Sequence, residues 1–133
     1  MGGSPISWKS KKQATVSLSS AEAEYRSMRR VCSELTWLSR LLAEFDITEI
    51  TLIPLNCDNM TAIYIAKNPV FHERTKHIEL DCHFVREKLQ AGLISLAHIP
   101  TKQQPADVFT KLLSGHDHGA AVSKLGMASH PPA

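Results

Sequence analysis

Apolar residues recur at three- and four-residue intervals through Met28, Val31, Leu35, Leu38, Leu42 and Phe45, the spacing of one helical stripe facing a core. Ser19, with Glu22 three residues on, forms a capping box that places the start of this helix. Stepping the stripe back by four lands on Glu24, whereas Glu22 lies about 200° around the helix from it. Glu22 therefore reads as a local capping acid, and Glu24 as an acid pointing with the core-facing side chains. Burying an unpaired charge is expensive, so an acid placed there needs a partner.

Elsewhere the pattern changes period. Met1–Pro5 reads as a turn, and Ile6–Lys11 alternates as a half-exposed strand does. Ile50–Cys57 is a short β-rich run ending at Asp58, although Pro54 inside it cannot donate a ladder hydrogen bond. A short helix is predicted over Met60–Lys67, stopping before Asn68-Pro69. A longer one over Glu73–Gln90 has Ile78, Cys82, Val85 and Leu89 on one face, and Ala91-Gly92 ends it. Leu93–Ile99 is another strand, Pro105 opens a last helix through Leu113, and Ala120–Leu125 suits one or two further turns. The tail 129–133 reads as disordered. The order strand, long helix, strand, helix, helix, strand, helix predicts an α/β fold, a mixed sheet flanked by helices. Asp58 then lies at the carboxyl end of its strand, where such sheets commonly hold ligands.

Composition adds bounds. The 133 residues are 43% apolar and 21% charged, an ordinary globular mixture large enough for one core. A formal charge of +2 permits nucleic-acid contact only through local clusters of Lys and Arg. Lys9, Lys11 and Lys12 form such a cluster, suited equally to phosphate and to a solvated face. Three cysteines, Cys32, Cys57 and Cys82, show no close pairing and read as small buried apolar residues of a protein in a reducing, intracellular compartment. No apolar run is long enough to span a bilayer, so no membrane partner is expected. His72, His77 and His83 near Cys82 lack the paired ligand spacing of structural zinc and read as exposed helix residues. Arg29-Arg30 suits the helix surface, and Trp37 helix packing.

Three carboxylates sit in distinctive phrases: Glu24 in Ser19-Ser20-Ala21-Glu22-Ala23-Glu24-Tyr25, Asp58 in Asn56-Cys57-Asp58-Asn59, and Asp107 in Pro105-Ala106-Asp107-Val108-Phe109-Thr110-Lys111. Taken singly, Glu24 and Asp107 suit helix starts through the dipole, and Asp58-Asn59 suits a turn or a cap. Taken together, a helix entry, a strand end and a late helix entry suit acids that converge in space. Oxygen-only ligands favour hard cations such as magnesium, and a pair of these can cleave phosphodiesters.

These phrases, with Pro5–Gln13, Asn68–Glu79 and His83–Glu87, resemble the ribonuclease H domain of copia-type retrotransposon Pol polyproteins, in register over roughly residues 2–127. The resemblance implies hydrolysis of the RNA strand of an RNA–DNA hybrid during reverse transcription. It implies two Mg2+ ions held by four carboxylates, three of which fall on Glu24, Asp58 and Asp107. It also implies a partner in the reverse transcriptase portion of the same polyprotein, and a cytoplasmic (virus-like particle) or nuclear setting. The hybrid would be held through its backbone and 2′-hydroxyls, with Lys9, Lys11 and Lys12 as candidate contacts. In that family the first catalytic aspartate lies on an opening strand, followed by a hairpin partner. Residues 1–127 are therefore expected to form a ribonuclease H-like fold lacking its first two strands, and 128–133 a disordered tail. His98, nine residues before Asp107, lies inside a predicted strand and is given no catalytic role. The expectation is an inactive remnant, with a non-catalytic nucleic-acid- or protein-binding module as the alternative.

Overall fold

Ser19 accepts a hydrogen bond from the Glu22 amide (3.1 Å) through its hydroxyl, and the first helix, α1 (Ser20–Ala43), begins there. The structure, a computed structural model, describes residues 5, 7–48, 50–68 and 78–127. Residues 1–4 of the expected turn, Ile6 of the expected strand, His72, His77, the start of the helix at 73–77 and the tail at 129–133 lie outside the described residues. Two compact units divide the chain, Ser17–Ile99 and the pair of segments Met1–Val16 and Pro100–Ala133.

In the 17–99 unit, α1 is followed by β1 (Ile53–Cys57), α2 (Met60–Lys67), α3 (Glu79–Gln90) and β2 (Ile94–His98). The fold is α/β. Its two described strands are parallel, with Ile53 opposite Ile94 and Cys57 opposite His98, and helices join them as parallel pairing requires. The Ile53 amide donates to Leu93 O (2.9 Å), and the Ile99 amide donates to Cys57 O (3.0 Å). Residues 53, 55 and 57 thus turn their backbone polar groups toward β2, and Pro54 turns away. Its missing N–H therefore costs the β1–β2 ladder nothing, which is why proline is tolerated there. The strand begins at Ile53 rather than Ile50 because Leu52 adopts a left-handed backbone (φ 53°), which interrupts extension.

The core unites Tyr25, Met28 and Cys32 of α1 with Ala62, Ile63 and Ala66 of α2, Cys82 and Val85 of α3, and Ile78, Cys57, Ile94 and Leu96. Two expectations about α1 are corrected. Its buried stripe runs Glu22, Tyr25, Met28, Cys32, so Glu22 is the buried acid and Glu24 only half-buried. Further on, Val31, Trp37 and Phe45 are exposed rather than packed. Twenty-four helical residues span about 36 Å, roughly twice the length of a five-residue strand, so the far half of α1 outruns the sheet. Arg86 adds a contact the pattern of apolar residues does not reveal. Its guanidinium donates to Ala66 O (3.3 Å) and Ile65 O (3.1 Å), supplying positive charge to the last turn of α2.

All three cysteines are buried and free, as expected. Burial pushes the Cys32, Cys57 and Cys82 thiols up to about 11. A raised folded-state value contributes stability that is complete below the unfolded value near 9 and is lost as pH rises toward 11. The urea midpoint is therefore expected to fall steadily between pH 9 and 11. A midpoint constant across that window would contradict neutral buried thiols.

In the other unit, residues 7–13 are irregular where a strand over 6–11 was expected. Strands persist only when a neighbouring strand satisfies their amides and carbonyls, and the sheet among the described residues consists of β1 and β2. The helix expected over 105–113 is a 3-10 turn, Pro105–Phe109, because Leu112 is fully exposed and leaves a longer helix no apolar face to bury. The final helix, α4 (Gly115–Lys124), is longer than the two turns expected and is capped by Ser114, whose hydroxyl oxygen accepts from the Asp117 amide (3.1 Å). Among the described residues no helix is long and apolar enough to cross a membrane.

Candidate metal centre

Glu24 and Asp58 are 34 positions apart in sequence, and two cross-links between α1 and α2 bring their backbones together. The Tyr25 hydroxyl donates to Ala62 O (2.5 Å), inside the core. At the helix starts, the Asn59 side-chain amide donates to Ser20 Oγ (3.4 Å) while its oxygen accepts from the Ala62 amide (3.0 Å), capping α2. Asn59 is thus both the cap the sequence allowed and a tie to the first turn of α1. Asp58 sits between this cap and the end of β1, as its position after the β-rich run requires.

The result is a cluster in which one donor atom each from Glu24, Cys57 and Asp58 lies within 4.8 Å of the others. Cys57 Sγ stands 3.6 Å from Glu24 Oε2 and 3.6 Å from Asn59 O, and it accepts the Asn59 amide at 3.3 Å. Burial is the main cause of its raised pKa; the Asn59 amide opposes it, and the charges of Glu24 and Asp58 add to it. At neutral pH Cys57 is therefore a thiol, able to donate its S–H to the Glu24 carboxylate. The periodic pattern offered no sign of this contact. The one clue is the adjacency of Cys57 to Asp58, since alternate strand residues turn inward and Cys57 has the inward phase.

The donor set suits a hard divalent cation in part. Two carboxylates meet the need of magnesium for one or two protein oxygens, the rest of its shell being water and substrate phosphate. The neutral thiol is a poor ligand for such an ion and acts instead on the orientation of Glu24.

Glu22, two residues before Glu24, is occupied elsewhere. It accepts the Leu18 amide (2.6 Å) and pairs with Arg26 (2.5 Å). Asp107 belongs to the other unit, in the 3-10 turn, where Lys111 pairs with its carboxylate (2.9 Å). Lys9, Lys11 and Lys12 are exposed in that same unit. His83 is exposed beside buried Cys82, and His98 is exposed on β2.

The chain is similar to the retrovirus-related Pol polyproteins from transposons RE1 and RE2 of Arabidopsis thaliana, at 45% and 46% identity over 132 residues, 99% of this chain and 9% of each relative. It is 35% identical over 128 residues, 96% of this chain and 10% of the relative, to the Pol polyprotein from transposon TNT 1-94 of Nicotiana tabacum. The chain thus spans about a tenth of the length of the curated relatives it matches. No family model matches it, and no solved structure matches it.

Proposed function

We propose that these residues are the part of a transposon Pol polyprotein that contributes Glu24, Asp58 and Asp107 to a ribonuclease H-type hydrolase acting on RNA–DNA hybrids, alongside the reverse transcriptase portion of that polyprotein. The observation that carries this reading is the approach of the Glu24 and Asp58 carboxylates within one cluster, on a helix and at a strand end. Homology to Pol polyproteins over nearly the whole chain supports the setting.

Magnesium, when bound, would supply a polarised phosphodiester and a water of lowered pKa. The chain's own part is to hold and aim the donors. Glu24 and Asp58 offer oxygens from two elements that Tyr25 and Asn59 keep together. Buried Cys57 donates its S–H to Glu24. The resemblance adds Asp107 as a third carboxylate, and an Asp107→Asn variant tests that part of the reading alone.

The resemblance implies four carboxylates, three of which fall on these residues. Purified residues 1–133 are therefore expected to leave a labelled RNA–DNA hybrid intact in magnesium. A chimera in which they replace the matched 132-residue segment of the RE1 polyprotein is expected to cut its RNA strand. Cleavage by the purified chain that Asp58→Asn abolishes would refute the first expectation, and an inert but folded chimera would refute the reading itself. The exposed Lys9, Lys11 and Lys12 favour the alternative of a binding module without catalysis. That alternative gains if the chimera is inert while hybrid binding survives the triple change Glu24→Gln, Asp58→Asn and Asp107→Asn.

A further inference from the structure

Charge is segregated along this chain. Residues 1–16 and 100–133 carry six lysines against two aspartates, a net +4, while residues 17–99 carry nine Lys and Arg against eleven Asp and Glu, a net −2; together these make the +2 of the whole. The weak overall charge therefore conceals a strongly basic unit, of the kind that attracts polyanions.

That unit also presents an aromatic platform. Trp8 is 60% exposed yet ordered by stacking on Phe109, with ring centroids 6.2 Å apart and planes 7° from parallel. At that exposure the indole, held against Phe109, still offers apolar ring surface to a ligand. Lys9, Lys11 and Lys12 follow it directly and are exposed. Phe109 closes the 3-10 turn Pro105–Phe109, and Pro105 and Asp107 of that turn line a cavity of about 340 Å³ bordered by Lys102, Lys111 and Lys124. Two acids also border it. Asp107 is matched by Lys111 (2.9 Å), and Asp117 accepts the Ser114 hydroxyl (2.7 Å) at the start of α4. Lys102 and Lys124 are exposed on its rim, where the Asp117 carboxylate, favoured in its charged form first by Ser114 and also by Lys102, offsets part of their charge.

We propose that this unit holds single-stranded nucleic acid, with Trp8 as the platform on which an unpaired base stacks and with Lys102 and Lys124 taking backbone phosphates. An exposed ring flanked by lysines selects a single strand, because a duplex buries its base faces except at its ends. The site uses neither Glu24 nor Asp58, and Asp107 borders it as the partner of Lys111, so changes at Glu24 and Asp58 separate this proposal from hydrolysis.

The test uses the full chain carrying Trp37→Phe, which leaves Trp8 as its fluorophore. Titration with a 20-nucleotide oligo(dT) at low salt is expected to quench Trp8 emission, and a blunt hybrid duplex of equal length is expected to bind more weakly. Trp8→Ala should lower the affinity roughly 5- to 150-fold, whereas Trp8→Phe, which keeps a stacking ring, should lose far less. Lys102→Gln with Lys124→Gln should reduce the slope of log affinity against log salt by about 1.4. Glu24→Gln with Asp58→Asn should leave all of this unchanged. Unquenched emission, undiminished affinity in Trp8→Ala, or preference for the duplex would each overturn the proposal.

Discussion

Asp58→Asn or Glu24→Gln in the RE1 chimera is expected to reduce hybrid cleavage by more than about 100-fold, with hybrid affinity changed far less. The magnitude follows from position. Groups one layer removed from a metal typically cost 10- to 100-fold when lost, so loss of a direct oxygen ligand should exceed that range. Both substitutions keep the shape of the side chain and remove only its charge. Because the cluster brings two carboxylates together around a buried thiol, removing one charge relieves repulsion. The urea midpoint of the 133-residue chain is thus expected to stay level or rise. A cation effect separates a metal site from a merely tolerated acid pair. Manganese at millimolar concentration should raise the melting temperature of the chain by an amount corresponding to about 1 kcal/mol, and not that of the double variant. Full cleavage by either variant, or an identical manganese shift in the double variant, would remove the metal-centre assignment.

Tyr25→Ala is expected to cost about 3–5 kcal/mol of stability, the range for deleting a large buried aromatic side chain. Tyr25 is fully buried, and its ring packs where α1 meets α2. Tyr25→Phe isolates the hydroxyl and should cost about 1–2 kcal/mol, since it removes one buried hydrogen bond to Ala62 O. Burial also lifts the Tyr25 hydroxyl well above the ordinary tyrosine range, with the nearby Cys82 adding to the shift. The phenol therefore remains a donor throughout neutral pH. The functional consequence is what makes the pair of variants informative. If this bond holds Glu24 near Asp58, Tyr25→Phe in the chimera should lose cleavage in excess of its loss of folded protein at 25 °C. Equilibrium urea unfolding read beside the rate of hybrid cutting decides it, and a fully active Tyr25→Phe chimera would mean that packing alone positions Glu24.

Local regularities along the chain determined most elements. The Ser19 cap, the span Met60–Lys67 and the shared face of Ile78, Cys82, Val85 and Leu89 all follow from interactions between residues a few positions apart. Such interactions act in any context, so a pattern suffices to place them. Tertiary structure decided which face of α1 is buried, because Tyr25 needs the Ala62 carbonyl and no periodicity records that demand. It left Trp37 in solvent because the lengths of a helix and of the strands beside it are independent quantities. It denied a strand to residues 7–11, since extended backbone gains nothing until another strand satisfies it. And it set the Cys57 thiol against Glu24, a contact between residues 33 positions apart that exists only once α1 lies over the end of β1.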